Sequence, residues 1–275
     1  MALGLAVCCL ISATDPIVLD NGAIRVEIDP AVFSVRFLGV PGGENFLASL
    51  PVDDAARESE DWIDPGGLQT DILPYTARDA ASRRGPAEIV EHREDYIALL
   101  GPPSEQTGMR IKKEIQLLGR EPKARFRVTT MRVAGEPGDT ALRNTVRLRR
   151  GTTIRLLREE GDVRILAGAD AIAPAVVKSR KYWLIPIPPT SPMDGVILGA
   201  FVPTLIVVND SGSWTRRLVT MPEEAKETPH EATVLCVLDD ATGSYGAALQ
   251  GKLESVANGR VQVLEEEWTV ESRGR

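Results

Sequence analysis

Trp62, Asp64, Gln69, Asp71 and Tyr75 lie close together in the chain and combine the side chains that a sugar site needs. An aromatic ring offers a flat apolar face with a polar tip, and a cleft with a few carboxylates and amides can orient hydroxyl pairs. The surrounding segment is rich in Gly and Pro and reads as a loop, where binding residues concentrate. Trp183, in Lys181-Tyr182-Trp183, is a candidate second aromatic plate. Each has a plainer reading: Trp62 as a cap on a sheet, and Trp183, like Trp214 and Trp268, as core filling. Asp61, Asp64 and Asp71 also contain enough carboxylates for glycoside hydrolysis, a chemistry that depends on their separation in space.

The chain has two histidines, His92 and His230. Imidazole exchanges protons near neutral pH, so either is a candidate base for proton transfer on a sugar. Cys236 sits within Val234-Leu235-Cys236-Val237-Leu238 and reads as a buried core thiol. Asp239-Asp240 is a two-residue acidic turn and a weak cation signal. There is no metal-ligand spacing, phosphate-cradling Gly loop, nucleophile elbow or metalloprotease motif, so no cofactor or metal is expected.

The net charge of −7 and pI of about 5.1 argue against a nucleic-acid partner. Arg147, Arg149 and Arg150 come nearest to a basic cluster, but they alternate along a strand-like run near Glu159 and Glu160 and read as a solvated face. The expected partner is a carbohydrate, mono- or oligosaccharide. Residues 2–11 form an apolar run that breaks at Ser12-Ala13-Thr14-Asp15-Pro16. It is too short to span a bilayer and suits the apolar part of a signal peptide. On that reading residues 1–13 are a leader, whose start lies inside a longer signal because no Lys or Arg precedes the run, and residues 14–275 are the mature domain, periplasmic or secreted. The alternative is a buried first strand in a cytoplasmic protein. No other segment approaches a transmembrane span.

The elements that must position these residues are strands. Ala23–Asp29 and Val32–Leu38 alternate apolar and polar residues around Asp29-Pro30, an opening hairpin. Residues 87–92 and 96–100 form a second pair, and residues 109–117 and 124–133 a third. Further strands are expected at 141–148, 152–157, 162–166, 176–185, 195–200, 204–208, 214–220, 232–238, 245–249 and 260–270. Helical periodicity is confined to a turn or two at 53–61 and at 223–226. About fifteen strands with almost no helix predict stacked antiparallel sheets in an all-β domain. No fixed-period repeat points to a propeller or solenoid.

Several segments, in order, resemble bacterial proteins of the galactose-mutarotase-like (aldose epimerase-like) supersandwich family. They are Leu19-Asp-Asn-Gly-Ala-Ile-Arg-Val-Glu-Ile28, Gly42-Gly-Glu-Asn-Phe-Leu47, Trp62-Ile-Asp-Pro-Gly-Gly-Leu68, Thr107-Gly-Met-Arg-Ile-Lys-Lys-Glu-Ile115, Leu142-Arg-Asn-Thr145 and Val263-Leu-Glu-Glu-Glu-Trp-Thr-Val270. The resemblance spans roughly residues 17 to 271 and implies a large antiparallel supersandwich acting on sugars. It also implies a His pair and a Glu that move a proton on the sugar. Here the chain departs from the family: neither histidine lies in the family's His-Gly type of context, and Ala247 stands at the expected Glu position. Three readings follow: a carbohydrate-binding or processing accessory protein of the envelope, a sugar epimerase using His92 or His230, and a structural domain without a small-molecule site. Fold analogy alone does not choose among them.

Overall fold

The computed structural model describes residues 16–48, 67–73, 86–104, 107–168, 176–187, 195–239 and 244–273. In chain order the first strands are β1 (Ile17–Asp20), β2 (Arg25–Asp29), β3 (Ser34–Gly39), β4 (Leu68–Leu73), β5 (Glu88–Arg93), β6 (Tyr96–Pro103), β7 (Met109–Leu117), β8 (Lys123–Arg132), β9 (Gly138–Arg147) and β10 (Thr153–Leu157). They continue as β11 (Val163–Ala167), β12 (Val177–Lys178), β13 (Tyr182–Pro186), β14 (Val196–Ala200), β15 (Thr204–Asn209), β16 (Gly212–Leu218), β17 (Val234–Asp239), β18 (Ser244–Gln250), β19 (Glu254–Val256) and β20 (Val261–Ser272). Two short 3₁₀ turns, Ala225–Glu227 and Pro229–Glu231, precede β17.

The strands form two ten-stranded antiparallel sheets. The first runs β1-β2-β3-β4-β9-β18-β17-β14-β11, with β19 paired to β9. The second runs β12-β13-β10-β15-β16-β20-β8-β7-β6-β5. The all-β class and most expected strands hold. Residues 176–185 are not one strand: Ser179 turns the chain by accepting the Tyr182 N–H through Oγ, which splits the run into β12 and β13. The segment carrying Gln69 and Asp71 is not a loop there but β4, a buried inner strand between β3 and β9.

Two-residue alternation explains the layers. In β7, Met109, Ile111, Ile115 and Leu117 are buried against the other sheet, while Arg110, Lys112, Glu114 and Gln116 face outward. One cluster of buried side chains runs between the sheets and includes residues of both. Trp214 and Trp268 sit at its centre, edge to face at 5.6 Å, with Phe126 stacked on Trp268 at 4.9 Å. Each fully buried large apolar side chain contributes roughly 1.5–3 kcal/mol. Cys236 lies in the same cluster.

Lys113 breaks the alternation, since it faces inward and is buried. Its ammonium donates to the Phe33 carbonyl at 2.5 Å and lies 4.0 Å from the centre of the Phe33 ring. Phe33 has φ 51°, a left-handed conformation in the β2–β3 turn. The charge is tolerated inside because a carbonyl and a ring face receive it.

Gly67 immediately precedes β4 with φ +84°, and a Cβ there would lie 2.2 Å from the Val35 carbonyl oxygen. Only glycine permits this turn so close to β3. The turn sets the register Gln69↔Thr145 and Asp71↔Arg143 between β4 and β9. Among the described residues no helix is long and apolar enough to cross a membrane.

Candidate functional site

The outward face of the first sheet carries a set of covered polar side chains. In β4, Leu68, Thr70 and Ile72 point between the sheets, which leaves Gln69 and Asp71 on the opposite face. In β9 the inward residues are Leu142, Asn144 and Val146, so Arg143, Thr145 and Arg147 face outward. In β18, Tyr245, Ala247 and Leu249 are core residues, and Gly246, Ala248 and Gln250 face outward. Ala247 is therefore turned into the core: alternation places any outward group of this strand at 246, 248 or 250.

Strand register lines these residues up in rows. Asp71 lies opposite Arg143, and Arg143 opposite Gln250. Gln69 lies opposite Thr145, Thr145 opposite Ala248, and Ala248 opposite Leu235. Neighbouring strands are about 4.8 Å apart, so the face from β4 to β18 is roughly 10 Å wide, close to the span of one pyranose with its hydroxyls.

Although they face outward, Gln69 and Asp71 are only 4% and 2% exposed, and Gln250 is fully covered. Arg143 donates to Asp71 Oδ2 from Nη2 at 3.1 Å and from Nε at 3.4 Å, so the two charges hold each other in place. The Gln250 amide donates to the carbonyls of Pro229 and Ala232, both at 2.5 Å, which ties the second 3₁₀ turn to the sheet. The Gln69 Nε2 donor and the Gln250 Oε1 acceptor are buried without hydrogen-bond partners. Buried polar atoms are nearly always satisfied, so two orphans on one face point to groups that a ligand or ordered water completes. Beside them Ala248, Leu235, Ala232 and Ile197 make a small apolar shelf. An apolar patch beside amides and a guanidinium is the combination that holds a sugar ring by its C–H face and its hydroxyls.

The structure brings together only part of the set expected from sequence. Gln69 and Asp71 share this face. Trp62, Asp64 and Tyr75, with Asp61, lie outside the described residues. Trp183 is half-buried on β13 of the second sheet, on the same side of that strand as the core residue Ile185, and donates through Nε1 to the Gly161 carbonyl at 3.2 Å. His92 is exposed on β5, at the end of the second sheet. His230 is exposed in the 3₁₀ turn Pro229–Glu231 with φ 57°, next to the proline whose carbonyl Gln250 holds. It borders the polar face, whereas His92 belongs to the other sheet, so the two imidazoles do not form an opposed pair. Arg143, Thr145 and Gln250 were missed. The alternation of 141–148 carried the signal for Arg143 and Thr145, but nothing local marks β9 and β18 as neighbours.

No protein-family model matches this chain, and no curated protein is similar to it at a significant level. Solved structures are similar in fold. A candidate aldose 1-epimerase from Escherichia coli K12 superposes with a TM-score of 0.60 at 11% identity, covering 94% of this chain and 99% of that one. A galactose mutarotase related enzyme from Lactobacillus acidophilus gives 0.56 at 11% identity, over 94% and 98% of the two chains. A galactose mutarotase-like protein from Lactobacillus casei gives 0.56 at 9%, over 93% and 99%. At such identities the likeness establishes architecture rather than chemistry. The two stacked antiparallel sheets of this chain form a galactose-mutarotase-like supersandwich.

Proposed function

We propose that the outward face of β4, β9 and β18 is a carbohydrate site and that the chain is a sugar-binding or sugar-processing protein. The observation that carries this reading is the pair of buried, partnerless amide atoms, Gln69 Nε2 and Gln250 Oε1, on either side of Arg143 and Thr145. In this reading Gln69 and Gln250, both covered in the free protein, bond hydroxyls when a sugar displaces what covers them, the Arg143–Asp71 pair orients them, and Ala248 with Leu235 supports the ring face. The solved structures of like fold named as epimerases and mutarotases favour a sugar over other polar ligands. His230, at the border of the face, is the residue to examine for proton transfer. An envelope location belongs to the same proposal and rests on the apolar run at residues 2–11.

The test is thermal-shift and calorimetric titration of the full chain with a panel of aldoses, joined to polarimetry for mutarotation. A sugar that binds only the native state raises the melting temperature by mass action. Gln69→Leu removes an unsatisfied buried donor, so it should leave stability unchanged or higher while abolishing the sugar-induced shift. No shift with any aldose at millimolar concentration would overturn the proposal.

A further inference from the structure

We propose a second ligand surface, separate from the first: the corner formed by β12, β13 and the end of β10 binds an acidic polysaccharide. Five cationic residues gather there around two half-buried rings. Arg155 and Lys181 lie 5.7 and 5.3 Å from the Tyr182 ring centre, and Arg158 and Lys178 lie 5.6 and 5.0 Å from that of Trp183. Arg180 stands between them in the turn, and Lys178, Arg180 and Lys181 are exposed.

None of the five is within 4 Å of a carboxylate among the described residues. On other strands the chain does pair its cations: Arg25 with Glu27 at 2.7 Å, Lys112 with Glu114 at 2.8 Å, and Arg125 with Glu265 at 3.1 Å. The acids of the adjacent turn do not neutralise the corner by contact. Glu160 accepts from Thr204 Oγ1 at 3.1 Å, and Glu159 and Asp162 are exposed without an ion pair among the described residues. Arg158 instead donates to the carbonyls of Ser179 and Arg180, which fixes the hairpin turn against β10.

The geometry selects the ligand class. Each ring has cations 5–6 Å from its centre. A carboxylated pyranose lying against such a ring places its acid within reach of an ammonium or guanidinium. Tyr182 and Trp183 are successive residues of one strand and project to opposite faces. The exposed cations Lys178, Arg180 and Lys181 follow one another around the β12–β13 turn, which suits a polymer carrying repeated carboxylates better than a monosaccharide with one. A nucleic acid is disfavoured because its affinity grows with the number of phosphates neutralised, while this chain is acidic overall, with a net charge of −7.

The experiment is biolayer interferometry of the full chain against immobilised polygalacturonate, neutral dextran and a single-stranded oligodeoxynucleotide, at 50 and 500 mM NaCl. Polygalacturonate should bind and dextran should not, and the higher salt should weaken binding at least about tenfold, as screening requires. The double variant Lys178→Ala/Lys181→Ala changes only exposed side chains and should lose at least about tenfold in affinity with an unchanged melting temperature. Gln69→Leu, which tests the first site, should leave polygalacturonate binding intact. Absence of polygalacturonate binding, equal affinity of the double variant, or stronger binding to the oligonucleotide would each overturn the proposal.

Discussion

Arg216 and Glu266 form an ion pair with both side chains wholly excluded from solvent, on the neighbouring strands β16 and β20. Arg216 Nε and Nη2 each donate at 2.8 Å to the two carboxylate oxygens, and Trp268 Nε1 donates to Oε2 at 2.9 Å. The pair also bridges the sheets: Asn144 Nδ2 donates to Glu266 at 2.8 Å, and Arg216 Nη2 donates to the Asn144 carbonyl at 3.0 Å. Thr70 completes the chain by donating to Asn144 Oδ1 at 2.8 Å. Thr70 and Asn144 alternate with the outward residues Gln69, Asp71, Arg143 and Thr145, so the network lies directly beneath the candidate site.

Breaking this pair leaves a buried guanidinium without its counter-charge. Glu266→Ala is expected to cost about 3–5 kcal/mol of stability, the usual penalty for orphaning one member of a buried pair. Urea denaturation followed by fluorescence measures it. A loss below about 1 kcal/mol would mean that water or another group takes over the role of the carboxylate.

Gly67→Ala should also destabilise, by more than about 1 kcal/mol, because the new methyl meets a carbonyl oxygen in a backbone conformation that alanine disfavours. The strain falls on the turn that sets the β4 register, so the same variant should weaken sugar binding. Comparing melting temperatures and titrations of the two proteins checks both effects.

Acid should destabilise the protein partly through Glu114. Burial alone would raise its carboxyl, but hydrogen bonds from Lys112 and Tyr96 outweigh burial and hold it below the usual carboxylate value of 4.5. A depressed carboxyl contributes stability that is present above pH 4.5 and lost as pH falls through its folded value. Glu114→Gln should therefore show a smaller stability difference between pH 6 and pH 3.5 than the parent chain. Denaturant midpoints at the two pH values give the comparison, and equal differences in both proteins would contradict it.

The Cys236 thiol is fully buried, and burial pushes its pKa up to about 12. It should resist a thiol-reactive disulfide reagent at pH 8 in the native protein and react promptly in 6 M guanidinium. Peptide mass mapping separates Cys236 from Cys8 and Cys9, and rapid native labelling at Cys236 itself would mean that β17 opens locally.

His92 is exposed at a sheet end remote from the polar face. His92→Ala should change stability by less than about 0.5 kcal/mol, as exposed substitutions generally do. It should leave any sugar affinity unaltered, and titration calorimetry tests this directly.

Much of the fold was legible in the linear sequence because strand alternation is a local signal. The patterns at 109–117 and 124–133 set their extents and most of their inward residues, Met131 being the exception since it is exposed between the buried Thr130 and Arg132, and Trp214, Trp268 and Cys236 read as core from their neighbours alone. Burial on both faces hides that signal. β4 has no exposed residue to mark a period, so in the linear sequence Gln69 and Asp71 look like loop residues while their polar chemistry still singles them out. The rest was decided by pairing. Residues 71, 143 and 250 are distant in sequence, and only the antiparallel registers of β4, β9 and β18 set them side by side. Long-range pairing leaves no local trace, since each strand's pattern records which face is buried and not which strand lies beside it. Composition and alternation thus determined an all-β sandwich with an apolar interior. Which polar residues share a face, and which of them end without a partner, was determined only when the two sheets closed on each other.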